Sequence, residues 1–422
     1  MQKRLLLMAA LITLLFLPLA SGVQAAPPAT PAKAAFIRDD TLWLSENGKE
    51  VQLTTTKGAQ FPQWSFDGRW ISYEQPDGIW VYDTQERRAS RVYQQHGTMA
   101  RWAPDKNVLA LLDAPVLNTV DLRQGRPKPF ENVALGVSTY SWLPDGTGFL
   151  ASANADLLPD GWTSPKLYTI AFNQKQSDLF KNAKLFYTIP QPLTLGSINL
   201  LSIHTSPFKW SRDGQWIAFI VSPTASWSMD SNLLCVLSAD GKSFSTVAEM
   251  LADPQWFQWA PNRSDLGYIR GGDRLVAGFS NKKLTITQLP QKKTTDVTPP
   301  SFIELDFDWY SDDILATSRA KEGEFSNDPA KRPHPALYQV NVKTNQQKAL
   351  TTPPAGYGDY QPHYLKKTGK LTWIRTSIRD YDSWLSHSTP KTSDVWMADA
   401  DGRSQRLLIK HVQQISWYEG RP

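Results

Sequence analysis

The chain has one cysteine, Cys235, in 422 residues, so no internal disulfide can staple it and a core must hold it together. Its 45 basic and 40 acidic residues leave a formal charge of +5 with no block of either sign, which gives nucleic acid nothing to grip. No Gly-x-Ser-x-Gly occurs, so there is no nucleophile elbow. A Walker loop, a dinucleotide fingerprint and zinc-type cysteine spacing are also missing, and no two carboxylates are spaced as a pair. Long apolar runs are absent except for one at the start, Leu5 to Leu17.

That run follows Lys3 and Arg4 and precedes Ser21-Gly22-Val23-Gln24-Ala25, the pattern of a secretory signal peptide over residues 1–25, cleaved after Ala25. It is shorter than the roughly 20 residues of a membrane span. Removing Lys3 and Arg4 lowers the charge to 5 − 2 = +3. Cys235 is too far from the cleavage site to be lipidated there. The expected product is exported, periplasmic or secreted and associated with the cell envelope, with no transmembrane segment after cleavage. A Pro-rich lead-in, residues 26–34, then leads into a single domain, residues 35–422.

What the chain does have is repetition. Trp64-Ser65-Phe66-Asp67-Gly68-Arg69-Trp70-Ile71-Ser72-Tyr73 returns as Trp210-Ser211-Arg212-Asp213-Gly214-Gln215-Trp216-Ile217-Ala218-Phe219. Each copy reads as a strand, an Asp-Gly turn and an alternating return strand. Weaker copies put an aromatic marker at Trp64, Trp102, Trp142, Trp210, Trp259, Trp309, Tyr364 and Trp417. A period of roughly 40–50 residues identifies an all-β propeller of four-stranded antiparallel blades. The count is eight, or seven or six if a degenerate unit such as that of Tyr364 forms no sheet. Ile415-Ser416-Trp417-Tyr418 is a first strand with no room for three more. Segments at Ala35, Thr41 and Val51 supply them and close the ring.

The Trp-Ser-x-Asp-Gly-x-Trp-Ile motif resembles the repeat of TolB-like, WD-like propellers, whose blades are similar to those of oligogalacturonate lyases and of the propeller domains in prolyl oligopeptidase relatives. The resemblance covers nearly all of the chain after residue 34 and implies a fold more than an activity. TolB itself carries an α/β domain before its propeller, which is not expected here. The lyases use channel histidines to hold a divalent cation, so the resemblance also implies a second reading, a metal-dependent polysaccharide lyase or hydrolase.

In a propeller the loops joining strand b to c, and d to the next a, leave on one face. Four b–c connections read as long: Ala153 to Pro165 with Trp162, Ser222 to Asn232 with Trp227, Ser318 to Pro335, and Ser377 to Ser393 with Tyr381 and Trp384. Gln75–Gly78 and Arg270–Asp273 read as minimal turns. Long loops on a rigid scaffold are where binding residues gather, although such tryptophans can also fold back onto the blade tops. Six residues before the marker stand His96, His204 and His411. With six histidines in the chain, eight such positions would collect about a tenth of one by chance. They read as turn residues, as ligand contacts, or as a metal set. The function expected is binding of a protein, peptide or envelope polysaccharide through this face, by His96, His204, His411, Trp162, Trp227, Tyr381 and Trp384. No catalytic residue and no cofactor is assigned, and the sequence does not fix the oligomeric state.

Overall fold

The computed structural model describes residues 33–94, 97–173, 177–380 and 393–420, all within one compact unit, Pro31–Pro422. It is an eight-bladed β-propeller. Every aromatic marker lies on the first strand of a blade. Blade 1 runs Gln60–Trp64, Trp70–Gln75, Gly78–Asp83 and Arg88–Tyr93. Tyr364, the weakest marker, heads blade 7 in Tyr357–Leu365, which pairs with Lys370–Ser377. Blade 8 closes the ring as the sequence requires. Gln414–Tyr418 pairs with Lys33–Arg38, with Phe36 opposite Ile415, and Thr41–Glu46 and Lys49–Gln52 complete the sheet. The first strand thus begins at Lys33, two residues before the expected boundary.

The middle strands explain the uninterrupted apolar runs. A blade is covered on both faces by its neighbours, so side chains pointing either way are buried. Val108, Leu109, Ala110, Leu111 and Leu112 of blade 2 are all within 2% of fully buried, as are Ile217–Val221 and Leu233–Leu237 of blade 4. Each large aliphatic side chain so placed contributes about 1.5–3 kcal/mol relative to exposure. Cys235 sits in the last of these strands, where burial pushes its thiol pKa far up and leaves it unreactive.

Two hydrogen-bond systems account for the repeated motif. Within blade 1, Asp67 Oδ1 accepts from Ser65 Oγ at 3.0 Å and Arg69 N at 2.9 Å, while Ser65 Oγ accepts from Trp70 N at 3.0 Å. Blade 4 repeats this with Ser211, Asp213, Gln215 and Trp216. The second carboxylate oxygen reaches the next blade: Asp67 Oδ2 accepts from Asn107 at 2.7 Å and Asp213 Oδ2 from Ser264 at 2.7 Å.

The markers stitch in the other direction. Each indole N–H of Trp64, Trp102, Trp142, Trp259 and Trp309 donates to the carbonyl just before the previous blade's marker. These carbonyls belong to Ser416, Gln63, Arg101, Lys209 and Gln258, at 3.0, 3.2, 3.1, 2.8 and 3.4 Å. Tyr364 instead stacks on Tyr310, with ring centroids 4.3 Å apart. Trp210 has a buried indole nitrogen with no partner, at the junction where the chain makes its longest detour between blades.

Candidate functional site

Strand polarity sends all b–c connections to one face, and their lengths are uneven. Blades 8, 1 and 2 have two-residue links, at residues 39–40, 76–77 and 114–115. Blades 3 to 7 have long ones: 154–165, 223–231, 271–282, 322–335 and 378–392. The blade 5 connection corrects the sequence reading. Arg270–Asp273 is not a minimal turn; twelve residues separate Arg270 from the next strand, Lys283–Gln288. Gly271 marks the neck of that loop. At φ 117° it lies so close to Asn281 that a Cβ would stand 1.8 Å from the Asn281 carbonyl oxygen.

The long loops join into a crest. Asp273 N donates to Asp230 O at 2.7 Å, linking blades 5 and 4. Gly323 N donates to Phe279 O at 2.9 Å, and Phe279 meets Phe325 edge-on at 5.6 Å, linking blades 5 and 6. Arg332 donates to Ile378 O at 3.2 Å, linking blades 6 and 7. Lys282, fully buried at the base of the blade 5 loop, donates to the carbonyls of Gly272 and Asp273. Burial lowers its ammonium pKa to about 8.

Apolar side chains crown this crest. Leu157, Leu158, Trp227, Met229, Leu275 and Phe325 are six of the fourteen exposed large hydrophobics among the described residues, and all six sit on four of these loops. Trp227 is 41% exposed on the short 3-10 turn Ala225–Met229, so it does not fold back onto the blade. Trp162 is half-buried in a small hairpin, opposite Leu157.

The histidines do not assemble. His204 is half-buried on the inner strand of blade 4, paired with Ser222, and burial lowers its pKa. His411 is exposed on Arg406–Val412, the outer strand of blade 7, not in a loop entering the channel. His96, Tyr381 and Trp384 lie outside the described residues. Among those described, no three His, Cys, Asp or Glu side chains are placed to hold a metal ion.

The sequence reading missed His363. It lines a central cavity of about 360 Å³ between the inner strands of blades 4 to 8, with Lys209, Gln258, Asp306, Asp308 and Glu419. The imidazole Nδ1 is 3.2 Å from Asp308 Oδ2 and Nε2 is 3.0 Å from Glu419 Oε1. Burial alone would lower its pKa, but the two carboxylates overcome this and raise it to about 9. Lys209 Nζ donates to the carbonyls of Pro254 and Phe257 at 2.5 and 2.8 Å, and burial lowers its pKa to about 8.

No family model matches the chain, and comparison with curated proteins finds no match. Solved structures do match. Dihydro-haem d1 dehydrogenase NirN in complex with DHE superposes with a TM-score of 0.59 at 10% identity, over 94% of this chain and 76% of that one. Dipeptidyl peptidase 4 from Porphyromonas gingivalis gives 0.54 at 11% identity, over 91% and 58%. A puromycin hydrolase gives 0.51 at 9%, over 86% and 55%. What they share with this chain is a fold. The chain spans little more than half the length of the last two, and at such identities the likeness carries no chemistry with it.

Proposed function

We propose that this propeller is an exported binding protein of the TolB-like type that recognises a protein partner through its loop crest. The observation that carries the reading is the uneven face: five consecutive blades have long b–c connections, those of blades 4 to 7 are bonded each to the next, and four of the five hold six exposed large hydrophobics. Contiguous exposed apolar surface is kept where a partner covers it. Leu157, Leu158, Met229 and Leu275 are aliphatic, which favours a protein surface over a polysaccharide, whose sugars stack on aromatic rings. Export rests on the charged start and the Leu5–Leu17 run. Among the described residues no helix is long and apolar enough to cross a membrane.

A photo-crosslinking residue placed in turn at 157, 227, 275 and 325 tests this in the native host. Position 242, on a c–d turn of the opposite face, is the control. The expected result is one protein adduct from the crest positions and none from 242, lost when Trp227 and Leu275 are both changed to serine. Adducts spread evenly over both faces, or adducts to polysaccharide only, would overturn the assignment.

A further inference from the structure

The junction of blades 8 and 1 leaves a cavity of about 450 Å³ on the face of the b–c links, in the sector where those links are shortest. Its floor is the side of blade 1 turned toward blade 8. Tyr73 and Trp80 stand opposite each other there on adjacent strands, and Ala89 lies on the outer strand. Its wall is the connection from blade 8 to blade 1, residues 53–59. That connection is tied down at both ends. Leu53 N donates to Leu42 O at 2.8 Å, and Leu42 N to Thr54 Oγ1 at 3.0 Å. Gly58, at φ 96°, lets the loop close on Pro76, since a Cβ there would stand 2.8 Å from the proline ring.

The cavity joins an apolar floor to a rim of hydrogen-bonding groups. The indole N–H of Trp80 donates to Asp77 Oδ1 at 2.8 Å, and Asp77 Oδ2 accepts from Arg91 at 2.8 Å, so the ring is held in place and both oxygens of the one lining carboxylate are engaged. Lys57, the other charged lining residue, is exposed. Tyr73 is only 2% exposed, yet its hydroxyl makes no hydrogen bond among the described residues. Burial and the nearby charge of Asp77 raise its pKa, which keeps it an O–H donor. A hydroxyl buried this deeply without a partner is a penalty that a ligand can relieve. Across from it Thr55 and Thr56 are exposed, and the Gln75 amide reaches Thr56 O at 3.5 Å.

We infer that this cavity binds a sugar ring, a pyranose with its C–H face on Trp80 and a hydroxyl on Tyr73. A pyranose has an apolar face and a girdle of hydroxyls that both donate and accept, which matches an aromatic floor with a polar rim. The volume falls within the roughly 300–1,000 Å³ range of small-ligand sites. A wholly apolar ligand would leave the Tyr73 hydroxyl unpaired. A small anion would meet the Asp77 carboxylate, and a cation would have to displace Trp80 or Arg91 from it. The cavity belongs to blades 8 and 1 and the crest to blades 3 to 7, so the two readings fail separately.

Saturation-transfer NMR on the purified protein tests this with the methyl glycosides of glucose, galactose, mannose and N-acetylglucosamine. Cyclohexanol serves as a ring without the girdle of hydroxyls. At least one glycoside is expected to bind at millimolar concentration, and to bind more tightly than cyclohexanol. Tyr73→Phe is expected to weaken that binding about fivefold, the loss of one neutral hydrogen bond, without lowering the thermal midpoint, because the hydroxyl it removes bonds nothing in the protein. Trp80→Ala is expected to abolish binding. No glycoside bound, cyclohexanol bound as tightly as the best glycoside, or glycoside binding indifferent to Tyr73→Phe would overturn the inference. The glycosides and cyclohexanol are compared on the unaltered protein, and Tyr73→Phe keeps the ring, so a misfolded Trp80 variant cannot mask the answer.

Discussion

His363 stands 3.2 Å from Asp308 across the boundary between blades 7 and 6, with Glu419 of blade 8 at 3.0 Å on its other nitrogen. One imidazole therefore ties three blades together around the channel. The charged form is the one that can satisfy both carboxylates, since it alone carries two N–H donors. The folded pKa of about 9 lies above the ordinary 6.5, so folding takes up a proton in between. The stabilisation is fully present below pH 6.5 and is lost as pH rises through 9. With 38% of the side chain open to the channel, solvent screening reduces it to about 1 kcal/mol. Urea unfolding of the protein and its His363→Gln variant from pH 6 to 10 checks this. The stability difference should shrink steadily with pH; a constant difference would contradict the clasp.

The indole stitches predict an asymmetry between two markers that look equivalent in sequence. Trp259 donates to Lys209 O at 2.8 Å, whereas the Trp210 indole nitrogen is buried without a partner. Phenylalanine at 259 strands a carbonyl, but at 210 it removes a donor that folding already leaves unsatisfied. An unmade buried hydrogen bond costs about 1–3 kcal/mol. Trp259→Phe should therefore lower the unfolding free energy by ~1 kcal/mol more than Trp210→Phe does, read from the shift in denaturant midpoint at unchanged m-value.

These contacts also explain how much of the molecule was legible in its sequence. The fold was legible because the marker tryptophans and the Ser-x-Asp-Gly turn each make the same bonds to neighbouring blades, so the residue types recur at the period of the structure. The blade 5 loop was not, because Gly271-Gly272-Asp273 has the composition of a turn. Here glycine is needed for a different reason, the close approach of Asn281 where the two ends of a long loop meet. The channel was missed because the histidine pattern lay six residues before the markers. The telling position lies one residue before them: Gln63, Arg101, Ser141, Lys209, Gln258, Asp308, His363 and Ser416 are polar in all eight blades and half-buried or exposed. Such a register is visible only once the markers are known to share one strand. The crest, likewise, depends on loop conformations that no repeat specifies.

Asp67 is the test of whether the turn motif is structural. Burial would raise its pKa, but hydrogen bonds from Arg69, Asn107 and Ser65 outweigh that and hold it below the usual value. Its contribution is present above pH ~4 and fades as pH falls below that. Asp67→Ala removes three acceptor contacts, one of them to the next blade, and should cost about 1–3 kcal/mol at neutral pH. The same change at Asp240, whose carboxylate bonds Ser238 and Lys242 within its own exposed c–d turn, should cost clearly less. Equal losses at the two sites would mean that the bridge to Asn107 carries no weight.

Lys282 should give a pH dependence opposite in sign to that of His363. Its folded pKa of about 8 lies below the ordinary 10.5, because the buried ammonium is paired only with carbonyls and with the more distant charges of Asp273 and Glu249. Between those values the unfolded chain holds a proton that the folded protein has released, so this residue's contribution rises with pH by on the order of 2 kcal/mol. Subtracting the stability curve of Lys282→Met from that of the unmodified protein isolates the effect from the other lysines. The difference should climb between pH 8 and 10.5, and a flat or falling difference would show that the ammonium is not buried. Because Lys282 holds the carbonyls of Gly272 and Asp273 at the base of the blade 5 loop, the variant should also speed amide exchange around Leu275 more than in blade 1. That local loosening would tie the anchor of the loop to the crest residue it presents.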